Sequence, residues 1–223
     1  MSNHVVISLA TVPDIDALRL IHQFDDLSDE GVLSAALHLH HQQHGNKSLP
    51  LYQQQIVSFA AVKRMQSGEV TLHGFDNDIE NEVDLLVQLN ELMDKVDEVI
   101  SWQMNSIDLP LINFRLLKHT IVSANFYDAS KVSLSDSLFG DQGAAERDLA
   151  GLSMSLGLPE IDSMTQQERI ECFLNDEMQR IHAANQTKLL NCYLINLRYQ
   201  LISAKMSTVE YEAARDTLFE ALA

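Results

Sequence analysis

Asp108 is the carboxylate whose setting most invites a chemical role. It lies within ISWQMNSIDLPLINFRLLKH, residues 100–119, where an apolar strand end passes through a polar turn into a helix. Pro110 sits where a first helical turn tolerates a missing N–H, and Leu109, Ile112, Leu116 and Ile121 recur behind it at helical spacing. The helix dipole favours a carboxylate at that end, so Asp108 reads either as a cap or as a metal ligand. Arg115, Lys118 and His119 follow on the same helix and have the chemistry to touch phosphate, but their pattern reads first as a solvated helix face. His38, His40, His41 and His44 form the histidine-dense tract, with His40 and His44 at a four-residue spacing that some metal pairs use. With no carboxylate or cysteine in the same run, the tract reads as a surface helix end. No Gly-rich phosphate loop, Ser/His/Asp pattern or nucleophilic-cysteine context appears.

The elements that must position these residues follow from hydrophobic periodicity. A first strand is expected over His4 to Leu9, ended by Val12-Pro13, and then irregular or helical structure over Ile15 to Phe24. A helix is expected from Gly31 to His44, stopped by Gly45-Asn46. Gln55 to Lys63 and Glu69 to Gly74 read as an antiparallel hairpin, and Glu82 to Lys95 as an amphipathic helix. Val96 to Trp102 carries another strand end, and Lys131 to Leu134 a last short strand. Helices are expected over Ala144 to Leu156 and from the capping-box spacing Thr165–Glu168, whose apolar face runs through Met178 and Ile181. A long helix is expected over roughly Ala184 to Ser203, and a second capping box, Ser207–Glu210, opens a terminal helix. Strands mostly in the first half with helices interleaved and following point to an α/β protein.

Length and composition bound the rest. A chain of 223 residues suits one domain, 1–223, and nothing in it resembles a flexible linker. The run Val5 to Ala10 is too short to span a bilayer and lacks the basic approach of a signal peptide. Two cysteines, Cys172 and Cys192, form neither a zinc site nor a disulfide framework, so a reducing cytoplasm is expected. Lys and Arg number 15 against 32 Asp and Glu, a formal charge of −17, which disfavours direct contact with phosphate backbones unless basic residues gather on one face. The acidic runs Asp25 to Glu30 and Asp76 to Asp84 read as solvated faces.

In order along the chain, several strings resemble the 3'-5' exonucleases related to the proofreading domain of family-B DNA polymerases. ISWQMNSIDLPLINFRLLKH resembles the family's second motif, VVISLATVPD its opening strand, and SLPLYQQQIVSFAAV its second strand. LAGLSMSLGLP and KLLNCYLINLRYQLISAKMSTVEYE resemble the segments before and within its closing helices. The resemblance implies an RNase H-like exonuclease fold in one domain, a mixed β-sheet flanked by helices. It also implies a demand for four carboxylates converging on two divalent ions, with a tyrosine that orients the attacking water.

Carried over position by position, most of that demand goes unmet. The family's Asp-Ile-Glu-Thr-Val-Pro falls on Ser8 to Pro13, which places Ser8 and Ala10 where the two first-motif carboxylates stand. Asp108 is kept, but the asparagine before it falls on Gln103. The family's next aspartate falls on Ser133, with Asp136 matching a following acidic position. In the third motif the tyrosine becomes Ala184 and the final aspartate becomes Lys188, a reversal of charge. Asp14 and Asp16 lie beyond Pro13, past the strand end where ligands belong. The reading that follows is a pseudo-exonuclease with no competent catalytic residues and no cofactor. Mg2+ or Mn2+, with Asp108 as a ligand, enters only in the alternative of a living exonuclease with an altered site. Non-cleaving nucleic-acid binding is a third reading. The vacated site suggests an ion pair between Asp108 and Lys188, set against Asp108 as a plain helix cap. The partner expected is a protein, basic or nucleic-acid-binding, with no membrane; self-association stays open.

Overall fold

A computed structural model describes residues 3–45, 48–75, 81–140 and 148–222. Five strands form one mixed sheet, β1 (His4–Pro13), β2 (Gln54–Arg64), β3 (Val70–His73), β4 (Glu98–Ser101) and β5 (Ser130–Ser133), in the order β3-β2-β1-β4-β5. The β1-β2 and β2-β3 pairs are antiparallel, and the β1-β4 and β4-β5 pairs are parallel. Parallel neighbours need a crossover. Helix α3 (Glu82–Leu92) lies in the chain between β2 and β4, and α4 (Leu109–His119) between β4 and β5.

Strand β1 is central and buried on both faces, and its side chains alternate between two cores. Val5, Ile7 and Leu9 pack with Leu86 and Leu89 of α3 and Ile112 and Leu116 of α4. Val6 joins Trp102, Leu189 and Tyr193 on the opposite face, which is covered by α9 (Met178–Ile202) and α10 (Thr208–Leu222). A smaller cluster links Leu18 of α1 (Ile15–His22) to Val32, Leu33 and Ala36 of α2 (Asp29–His44). Short helices α5 (Ala124–Asp128) and α6 (Leu134–Phe139) flank β5, and α7 (Leu149–Ser155) and α8 (Gln166–Leu174) lead to α9.

The capping boxes form as their spacing predicts. Thr165 and Glu168 exchange backbone and side-chain hydrogen bonds of 2.8 and 3.2 Å, and Ser207 and Glu210 do the same at 2.7 and 3.3 Å. Boundaries move where tertiary packing overrides local pattern. Strand β1 continues through Val12-Pro13 because β2 pairs with it to the end. Met178 and Ile181 belong to α9, six residues ahead of the expected start at Ala184; Asp176 at φ 59° separates them from α8. The short helices α5 and α6 carry no sequence expectation. Residues 144–147 of the helix expected from Ala144, and residues 76–80 of the acidic stretch, lie outside the described residues.

Gly74, just past β3, has φ +75°, and a Cβ there would meet the Phe59 carbonyl oxygen at 2.0 Å. Left-handed strain and overpacking then add, so Gly74→Ala is expected to cost about 2–4 kcal/mol in a urea melt. A loss below about 0.5 kcal/mol would mean that the close approach of β3 to β2 is not needed.

Candidate functional site

On the α9 side of the sheet, Ser8 lies between Val6 and Ala10 and is buried. Its hydroxyl donates to Asn185 Oδ1 at 2.7 Å. The Asn185 amide donates to the Ser8 carbonyl and to Ser58 Oγ, each at 3.1 Å, and Ser58 Oγ lies 2.9 Å from His182 Nδ1. Burial lowers the His182 pKa, which favours the neutral ring. Four uncharged side chains from β1, β2 and α9 therefore satisfy one another in the position that the resemblance assigns to the first aspartate. Ala10 pairs with Ser58, and the register then skips Val57, so a β-bulge sits beside this network.

Next to the network opens a cleft of about 270 Å³. Ala10 of β1 lines it together with Ala184 and Lys188, which lie one turn apart on α9, so the fold brings the two segments to one surface. Gln103 and Trp102 line it too; Trp102 is buried and meets Phe139 edge-on at 6.1 Å between centroids. Two cations, Lys188 and Arg169, share the cleft with two carboxylates, Asp148 and Asp162. Both carboxylates are engaged. Asp148 accepts from the backbone N–H groups of Ala150 and Gly151 at 3.0 and 3.1 Å, and Asp162 accepts from Arg180 at 2.9 and 3.4 Å. Among the described residues, neither Lys188 nor Arg169 has an ion-pair partner, and the Arg169 Nε is buried without a hydrogen bond.

Among the described residues Asp108 forms neither the helix cap nor the ion pair with Lys188. A π-helical turn, Met104–Asp108, runs directly into α4, so Asp108 already has helical angles (φ −69°, ψ −44°) and makes no side-chain cap. Its carboxylate is buried and accepts a 2.5 Å hydrogen bond from Ser101 at the end of β4. Among the described residues no ion pair joins it to Lys188. Both residues do bear on one buried thiol: burial pushes Cys192 up to about 12, Lys188 pulling the value down and Asp108 raising it. Lys188 precedes Cys192 by one helical turn and opens towards the cleft instead.

The charge network that forms lies on the other side of the sheet and corrects a second expectation. Arg115 is not on a solvated face: its side chain is 2% exposed. It donates to Asp14 at 2.7 Å, to the Gln54 carbonyl at 2.9 Å and to Glu82. Lys118 reaches Asp14 at 2.5 Å and His119 reaches Glu82 at 2.8 Å. Asp14 also caps α1 through the Ala17 N–H at 3.0 Å. Burial pulls the Asp14 pKa upward, but the hydrogen bonds from Lys118, Ala17 and Arg115 outweigh it and hold the carboxyl below its usual value. Glu82, inside an acidic run that reads as solvated, is likewise buried here.

Ser133 ends β5 with its hydroxyl 3.4 Å from the Trp102 carbonyl, and Asp136 accepts from Asn105 at 3.0 Å. The His40 and His44 rings meet at a tilt of 38°, 4.5 Å between centroids, at the end of α2. Among the described residues no group of three or more His, Cys, Asp or Glu could hold a metal ion. The donors at the cleft are amides, the Ser163 hydroxyl, two cations and two carboxylates already engaged by backbone N–H groups and by Arg180, a set that does not suit Mg2+, which is bound through carboxylates and retained water. Among the described residues no helix is long and apolar enough to cross a membrane.

No curated protein sequence matches the chain significantly. Among solved structures, the family B DNA polymerase from the hyperthermophilic archaeon Pyrobaculum calidifontis aligns with TM-score 0.51 and 9% identity, over 96% of this chain and 27% of the polymerase. At that identity the likeness concerns the fold alone, and the chain spans about a quarter of the polymerase. A family model covers residues 46–223, including the Asp108 stretch and the whole of α9. With most of its length matched, the chain belongs to the predicted 3'-5' exonucleases related to the exonuclease domain of PolB.

Proposed function

We propose that this protein is a catalytically inactive member of its family, retained as a protein-binding or regulatory component. The observation that carries the reading is that Ala10, Ala184 and Lys188, the positions to which the resemblance assigns a carboxylate, a tyrosine and a carboxylate, line one cleft. Ser8 is spent in a neutral hydrogen-bond network, and a lysine ammonium at the site repels a divalent cation. Asp108 alone, already bonded to Ser101, does not assemble a metal centre. The formal charge of −17 supports a partner with a basic surface, by complementarity, over direct contact with a nucleic-acid backbone.

The test is digestion of end-labelled single-stranded DNA and RNA with Mg2+ or Mn2+, alongside Asp108→Ala. The expected result is cleavage no faster than in EDTA. Cleavage that chelation and Asp108→Ala both abolish would overturn the reading.

A further inference from the structure

We infer that the cleft binds a phosphate monoester without a metal ion, through Lys188 and Arg169. This rests on the reading of the cleft as a vacated metal site. An ammonium and a guanidinium line one concave surface in a strongly acidic chain, and neither is neutralised within the described residues. Both residues are half-buried, with the Arg169 Nε fully enclosed, and a cation even partly withdrawn from water gains from a counter-anion. Burial with no compensating anion lowers the Arg169 pKa, whereas Arg115 and Arg180, which do have carboxylate partners, are shifted upward.

The chemistry of the remaining wall narrows the ligand. Asp148 and Asp162 are engaged by backbone N–H groups and by Arg180, so they do not pair with the two cations. Gln103 and Ser163 add neutral donors, while Leu149, Ile161 and Ile181 leave the rest of the wall apolar. Two cations match a dianionic monoester better than a carboxylate, and the guanidinium fork suits its oxygens. The apolar wall suits a small hydrophobic or aromatic body attached to the phosphate. Where the family's chemistry asks for metal ions to hold phosphoryl oxygens, this chain places fixed side-chain charge.

The experiment is isothermal titration of the full chain in EDTA at low salt with inorganic phosphate, a mononucleoside 5'-monophosphate and a terminally phosphorylated oligonucleotide. The two organic probes separate a free small molecule from a strand end as the source of the monoester. Saturable binding of at least one probe, weakened at least about tenfold by Lys188→Gln and by Arg169→Gln and less by Arg169→Lys, is the expected result. Thermal melts establish that each variant is folded, and Lys118→Gln, a cation remote from the cleft, should bind like the wild type. Absence of binding by every probe, or binding unchanged in both Gln variants, would overturn the inference. Those outcomes leave the proposed lack of nuclease activity standing. Binding that requires Mg2+ and is accompanied by cleavage would overturn both.

Discussion

Arg115→Met is expected to destabilise the protein by about 3–5 kcal/mol, because it removes the shared cation from two buried carboxylates. For a chain of this size that corresponds to a fall in Tm of roughly 6–20 °C. The methionine fills most of the volume, so the loss reports charge rather than a cavity. Beyond backbone N–H donors, Asp14 would retain only Lys118 and Glu82 only His119, both of which are partly exposed. The network joins the end of β1, the start of β2, α3 and α4, so its loss should loosen the whole α3/α4 side of the sheet. Simultaneous Asp14→Asn and Glu82→Gln should recover part of the stability, since no buried charge is then left unpaired. A Tm change below about 2 °C for Arg115→Met would show that the network does not contribute at this scale.

The same network sets an acid limit. The folded-state pKa of Asp14 is depressed, so its contribution is fully present above the unfolded carboxylate value of about 3.9 and is lost as pH falls through the folded value. His182, also depressed, acts in the same direction: below about 6.5 the unfolded ring takes up a proton that the buried ring resists. Stability should therefore decline from pH 7 towards pH 5, and again below pH 4. His182→Gln should flatten the first decline and Asp14→Asn the second, read by urea melts across pH.

The second large effect is a metal dependence created where none is expected. In the variant Ser8→Asp, Ala10→Glu, Ala184→Tyr, Lys188→Asp, two carboxylates are added on the cleft wall, at positions 10 and 188, and a third beside it at position 8. Without metal they should destabilise the fold by several kcal/mol, since Ser8 and Ala10 are buried. At a Mn2+ concentration of about 100 times Kd, about 2.7 kcal/mol should return, a rise in Tm of roughly 5–11 °C. The wild-type Tm should be the same in EDTA and in Mn2+. A wild-type Tm that rises with Mn2+, and no longer does so in Asp108→Ala, would argue for a working metal site. Should the fourfold variant not fold, Ala10→Glu with Lys188→Asp carries the same comparison at two cleft-lining positions.

Local information in the sequence determined the elements and the family. Capping boxes at Thr165 and Ser207, the short apolar run of β1 and the stripe of α4 are encoded within a few residues of one another, so spacing and composition alone expose them. Family-like strings also supplied the expectation that Ser8, Ala10, Ala184 and Lys188 stand at the positions where a two-metal site has its ligands and its tyrosine. Partnerships were beyond it. Nothing local marks Asp14 as a partner for Arg115, 101 residues away, or Asn185 as a partner for Ser8, 177 residues away. Asp108 illustrates the division: its string names the motif, but its role depends on whether the turn before α4 closes as a cap or as a π-helical turn. Tertiary packing decided for the latter, turning the carboxylate to Ser101 and leaving Lys188 to the cleft. A charge several residues from any partner reads as solvated in one dimension; only the fold brings the desolvated neighbours that give it a function.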